Sequence, residues 1–155
     1  MGRRENAFIA LYNLLKSVPA PICHDWRFTS RQLVAWDQVP TASQPALFLH
    51  KGPEQNREER GSRLANWDWT AACVVYFRND TFPEGTADTE INNFIDAFEV
   101  TLRPDPGEFQ MLNGLVYDVY ISGEIGLYDA IDDPNQGVIV FPITIVQGCP
   151  QDYGA

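Results

Sequence analysis

WDWTAACVVYF, residues 67–77, sets Trp67, Trp69, Ala71, Cys73, Val75 and Phe77 on one parity and Thr70, Ala72, Val74 and Tyr76 on the other. Side chains of a strand alternate between faces, so this run has one heavily apolar face and a second that is only weakly polar. It predicts a long strand with both faces partly covered, one by helices and one by a neighbour.

Upstream, PALFLH (45–50) reads as a second strand, with Pro45 at its start because proline cannot donate to a ladder. Between the two lies KGPEQNREERGSRL (51–64), a long charged excursion. Two apolar strands joined in this way predict a hairpin whose tip stands clear of the core, an arrangement suited to contact rather than catalysis.

Outward from the hairpin, ENAFIALYNLLKSV (5–18) carries Phe8, Leu11, Tyr12, Leu15 and Val18 at helical spacing, and Pro19 and Pro21 end the run. WRFTSRQLVAW (26–36) has a mixed pattern, read as a strand or two short extended pieces. A second helix begins near Ala87 or Asp88 and places Ile91, Phe94, Ile95, Phe98 and Leu102 on one stripe. Asp88 and Glu90 complement its dipole, and Pro104 and Pro106 close it.

The last third predicts strands over LVYDVYISGEI (115–125) and GVIVFPITIV (137–146), joined by the acidic turn LYDAIDDPNQ (127–136). The 137–146 run is almost uniformly apolar, which places it mid-sheet, with Pro142 marking an edge segment or a bulge. The expected fold is α+β: a mixed, mainly antiparallel sheet of four to five strands, two helices on one face, and a long β-hairpin arm. At 155 residues, one domain spanning 1–155 is expected.

The net charge of −10 is unevenly placed. Residues 1–79 hold 10 basic and 7 acidic side chains, whereas 80–133 hold 13 acidic ones and Arg103 as their single base. That polarity argues against a general nucleic-acid binder, which needs a cationic surface, and suits head-to-tail contacts between copies. No apolar run approaches the ~20 residues of a membrane span, and the opening MGRRENAF lacks the apolar core of a secretion signal and the Ser or Thr that myristoylation requires at position 6. A soluble chain made in the cytoplasm is expected. Cys23, Cys73 and Cys149, odd in number and without CxxC spacing, read as reduced structural thiols.

Nothing in the motifs demands catalysis or a cofactor. Cys23, His24 and Asp25 are adjacent, so on an extended chain they point apart, and the remaining histidine is His50. Asp129, Asp132, Asp133 and Asn135 lack calcium-loop spacing and fit a solvated turn. The glycines at 107, 114, 123, 126 and 137 form no phosphate-binding loop. Trp26, Trp36, Trp67 and Trp69 lack interleaved cations and read as core or interface anchors.

Taken in order, FIALYNLL, RQLVAWDQVPTASQPALFLHKG, WTAACVVYF, INNFIDAFEVTL, FQMLNGLVYDVYISGEIG and VIVFPITIV resemble the tail terminator (tail completion) proteins of long-tailed bacteriophages. The resemblance runs from about Phe8 to Ile145, and WDQVP…QPALFL and LNGLVYDVYISGEI carry most of it. Asn113-Gly114 stands where a paired glycine is expected, a departure that keeps the turn.

The resemblance implies a structural virion protein, not an enzyme, that assembles as a ring, typically a hexamer, on the head-proximal end of the tail tube. It implies three protein partners: further copies of itself, the tail tube protein, and a head-side connector or stopper. DNA would pass through the ring without sequence-specific binding. Arg57, Glu58, Glu59, Arg60 and Arg63 are the expected contacts to the tube or a neighbouring subunit. The alternatives are another neck component, such as a head-tail joining or stopper protein, or a small enzyme or regulatory binding module unrelated to phage.

Overall fold

The 67–77 run lies inside a six-stranded sheet flanked by two helices. A computed structural model of the chain describes residues 2–20, 25–58, 65–78, 87–103, 105, 107–130 and 133–147. Helix α1 (Arg3–Lys16) is followed by β1 (Phe28–Ser30), two 3-10 turns (Trp36–Gln38 and Thr41–Ser43), β2 (Ala46–Glu58) and β3 (Ala65–Arg78). Helix α2 (Ala87–Leu102), β4 (Asp118–Ile121), β5 (Gly126–Ala130) and β6 (Asp133–Gln147) complete the described elements.

The strand order is β1-β2-β3-β6-β4, with β5 also paired to β6, and every pairing is antiparallel except β1 with β2. The fold is thus α+β with a mixed, mostly antiparallel sheet. Both helices cover one face. Leu11 and Leu15 of α1 and Phe94, Phe98 and Leu102 of α2 bury against Leu47 and Leu49 of β2, Trp69 to Phe77 at odd positions of β3, and Ile139 to Ile145 at odd positions of β6. Phe98 stacks on Phe141 with centroids 4.2 Å apart. Each large side chain buried in this layer contributes about 1.5–3 kcal/mol.

The second face divides in two. Its apolar half, Ala46, Phe48, Val74 and Tyr76, lies beneath Val39, with Val34 and Trp36 packed against it. Its other half is polar, a shallow depression lined by Asp68, Thr70, Tyr120, Ser122 and Thr144, of which Asp68 and Thr144 are buried. The neighbour expected on the second face is therefore the chain's own 34–44 segment, over half of the face. Between segment and sheet, Gln44 and Gln136 exchange two amide hydrogen bonds of 3.0 Å, and Gln136 Nε2 also donates to the Phe77 and Gly137 carbonyls.

Four sequence expectations need correction. Residues 51–58 are strand rather than loop: the β2–β3 ladder continues through Arg57↔Asn66 to Glu58↔Ala65. Residues 51–56 are a sheet edge beyond the β1 pairing, and 57–58 pair with β3 past the β6 pairing, so no apolar alternation is imposed and the charged sequence resembles a loop. Residues 127–136 are largely a hairpin between β5 and β6. The expected 115–125 strand shortens to β4: the turn at Leu112–Gly114, of positive φ (47°, 58° and 88°), takes the Leu115 and Val116 N–H groups to the Leu112 and Met111 carbonyls, and Gly123, also of positive φ (73°), follows the other end. With β1 added, the sheet has six strands rather than four or five.

Pro142 sits where the β6 edge changes partner. Ser122 N–H donates to the Pro142 carbonyl at 2.8 Å, and β4 and β5 pair on either side of that point. A strand residue directs its N–H and C=O to the same side, so the missing proline N–H falls at the break between β4 and β5, as an edge or bulge position should. No helix among the described residues is long and apolar enough to cross a membrane.

Candidate functional site

Two surfaces stand out, on opposite flanks of α1. The first is the root of the β2–β3 ribbon. Between Lys51 and Glu54 the ladder shifts register, so that Gly52 and Pro53 together oppose Thr70. Thr70 Oγ1 donates to the Pro53 carbonyl at 3.0 Å. A Cβ at Gly52 would meet Thr70 Oγ1 at 2.4 Å and the Thr70 carbonyl oxygen at 3.3 Å, so the bulge requires glycine. Along β2 the bulge and Pro53 also blunt an edge that, beyond the β1 pairing at Phe48, has no partner strand among the described residues.

Cations gather at this root. Glu54 lies 2.9 Å from Arg4 Nε and also pairs with Lys51, while Arg31 forms a two-pronged pair with Glu5 at 2.6 and 3.1 Å. Partial burial pushes the Glu54 carboxyl up, but Lys51 and Arg4 outweigh it and hold the group below the usual carboxylate range. Glu5 is likewise lowered, chiefly by its hydrogen bonds from Arg31. The Arg31 guanidinium lies 4.3 Å from the Phe8 ring centroid, and Lys51 Nζ 5.9 Å from that of Trp69. Arg4, Glu5, Phe8, Arg31, Lys51 and Trp69 line a depression of about 310 Å³.

The second surface is the strap 108–118, between α2 and β4. Arg103 Nη1 donates to the Glu108 carbonyl and Nη2 to Asp118 Oδ2, both at 3.0 Å. Asp118 Oδ1 accepts the Gln110 N–H at 3.1 Å, and Gln110 Nε2 donates to the Leu102 carbonyl at 3.0 Å. Gln110 is thus bound inward, while its neighbours Phe109 and Met111 are 70% and 48% exposed. Arg103, which holds the strap, also lines a groove of about 420 Å³ with Glu99, Val100 and Tyr120. Large apolar side chains held outward by a polar tether form a presented patch.

The residues singled out in the sequence fare unevenly. Arg57 and Glu58 lie in the ribbon opposite Asn66 and Ala65, whereas Glu59, Arg60 and Arg63 lie outside the described residues. Cys23, His24 and Cys149 also lie outside them. Cys73 is buried in the helix-covered core, and burial pushes its thiol pKa far up, so it is a packing residue. Trp26 packs against Phe94 and Phe98 and donates Nε1 to the Val18 carbonyl at 2.8 Å; Trp69 donates to Gln147 Oε1 at 2.9 Å. Both are core anchors. Asp129 pairs with Gly137 in the β5–β6 hairpin, Asp132 lies outside the described residues, and among the described ones no group of three or more His, Cys, Asp or Glu could hold a metal ion.

The strap was not foreseen. Its sequence signal is Phe109 and Met111, apolar at alternate positions just beyond two prolines and next to Glu108. Comparison with models of protein families and with curated proteins found no match to this chain.

Proposed function

We propose that this protein is a structural subunit of a phage virion, forming a ring that caps the head-proximal end of the tail tube, ends tube growth and offers a surface for head joining. The observation that carries the reading is the β2–β3 ribbon. Its pairs Arg57↔Asn66 and Glu58↔Ala65 continue past Trp67↔Gln147, the last pairing of β3 with β6 among the described residues, so the ribbon extends two-stranded there into the charged 57–64 stretch of the sequence. Such an arm reaches a neighbour or the tube without disturbing the core that holds it. The α+β fold agrees with the resemblance carried by WDQVP…QPALFL and LNGLVYDVYISGEI.

The charge distribution supports the same reading. A mildly basic first half and a strongly acidic 80–133 segment favour heterologous contacts, and these close into rings when the rotation per subunit returns to its start. Acidic side chains facing a bore would repel phosphates, letting DNA pass without adhering. Order of assembly tests the role: purified protein binds tails that lack heads and leaves filled heads unbound. Binding to filled heads instead would assign it to the joining or stopper class, and binding to neither would refute a neck role.

A further inference from the structure

The ring reading leaves open which surfaces of neighbouring copies meet. We propose that a second copy of this chain docks its Phe109 strap into the cation-walled depression at the root of the β2–β3 ribbon, making a head-to-tail contact. The inference deepens the ring reading and rests on it only for closure of the contact into a ring.

Three observations argue for this occupant. The strap is a ready-made anchor, because Gln110 and Asp118 hold its backbone while Phe109 stands 70% exposed, so little ordering cost remains on docking. Its charge complements the depression. Exposed Asp105 and Glu108 precede Phe109 closely in the chain, and the 80–133 segment holds 13 acidic side chains against one base, Arg103. Across the contact, Arg4 and Lys51 share the single carboxylate of Glu54 and Arg31 pairs with Glu5, so three part-exposed cations face two carboxylates and one positive charge is left in excess. A phenyl ring entering between Arg31 and Lys51 gains cation–π contacts, and the about 310 Å³ of space accommodates one aromatic side chain.

Position completes the case. The depression lies on the flank of α1 that carries Arg4, Glu5 and Phe8, next to Arg31 and Lys51, while Ala10, Asn13 and Leu14 on its other flank border Gln110 and Leu112 of the strap. One chain therefore presents anchor and socket on different flanks, and the contact is heterologous rather than self-complementary.

The test uses two full-length variants, each checked for a wild-type circular dichroism spectrum and melting temperature. Phe109→Arg removes the anchor and keeps the socket; Arg31→Glu alters the socket and keeps the anchor. Light scattering of wild-type protein up to millimolar concentration, alone and with tail tubes, gives oligomers. Each variant alone weakens association about 30-fold or more, the loss expected for an interface anchor. Mixed one to one, the variants form a dimer through the single intact contact and nothing larger. As a second readout, a zero-length carbodiimide cross-link joins Glu108 of one copy to Lys51 of another in the wild type.

Assembly undiminished by Phe109→Arg overturns the contact and leaves the terminator reading standing. A mixture that stays monomeric, or wild-type protein that is monomeric under every condition, also overturns it. Head-to-tail oligomers that never bind tail tubes uphold the contact and refute the terminator reading.

Discussion

Arg103 Nη2 and Asp118 Oδ2 lie 3.0 Å apart, joining the C-terminal end of α2 to the first residue of β4 across the strap. The ion pair is partly exposed and by itself contributes little. More depends on the other carboxylate oxygen, which accepts the Gln110 and Val119 N–H groups at 3.1 and 2.9 Å. Asp118→Ala leaves those donors without their acceptor and is expected to destabilise the protein by about 1–2 kcal/mol. Hydrogen exchange should accelerate at the Gln110 amide while the β3–β6 ladder keeps its protection. Uniform acceleration across the sheet would contradict a local tether.

The bulge makes a steric prediction. Gly52→Val drives a branched side chain into Thr70 and is expected to cost about 1–3 kcal/mol. Thr70→Ala removes the hydroxyl a Cβ would meet first, so the double variant should recover part of the loss. Urea denaturation of the four members of this cycle measures the coupling; strict additivity would show that the close approach at Gly52 is not what disfavours a side chain there.

The buried glutamine pair predicts an asymmetry. Gln136→Met leaves the buried Gln44 Oε1 without its donor and Nε2 with the Val39 carbonyl alone at 3.2 Å, and should cost about 1–3 kcal/mol. Replacing both glutamines by methionine removes the unsatisfied groups together and should cost less than the sum of the two single changes. Thermal unfolding compared across the four proteins checks this.

Stability should fall at both ends of the pH scale. Glu5 and Glu54 have folded pKa values below their unfolded ones, so their contribution is present above the unfolded carboxylate range and is lost as pH falls through the folded values. Tyr76 behaves oppositely. Burial, followed by the nearby Asp37 charge, raises its phenol, whose O–H donates to the Val34 carbonyl at 2.7 Å. Its contribution is present below the unfolded tyrosine pKa and lost as pH rises towards the folded value. Tyr76→Phe should flatten the alkaline side of a melting-temperature profile and leave the acid side unchanged.

What the sequence made legible follows from which residues face a core. Phe94, Phe98 and Leu102 are read directly as a helix stripe, and Trp69 to Phe77 as a strand, because burial imposes their periods. Residues 51–58 carry no such period, although backbone pairing makes them strand. Asp129 and Asp133 carry turn chemistry and yet lie in paired strands, because β6 supplies the ladder. The strap stays hidden for a different reason. Its tether joins Arg103 to Asp118, 15 residues apart, and the inward role of Gln110 exists only once α2 and β4 are packed. Of the five charged residues expected to make contacts, Arg57 and Glu58 are placed on the ribbon, which supports an arm without saying what it touches.

Capping of a tail tube by a ring of this chain is tested by the growth of purified tail-tube protein in its presence, followed by negative-stain imaging of the tube ends. Sub-stoichiometric protein is expected to halt elongation, with a ring of about six subunits on one end of each tube. Tubes that elongate at an unchanged rate with bare ends would contradict it.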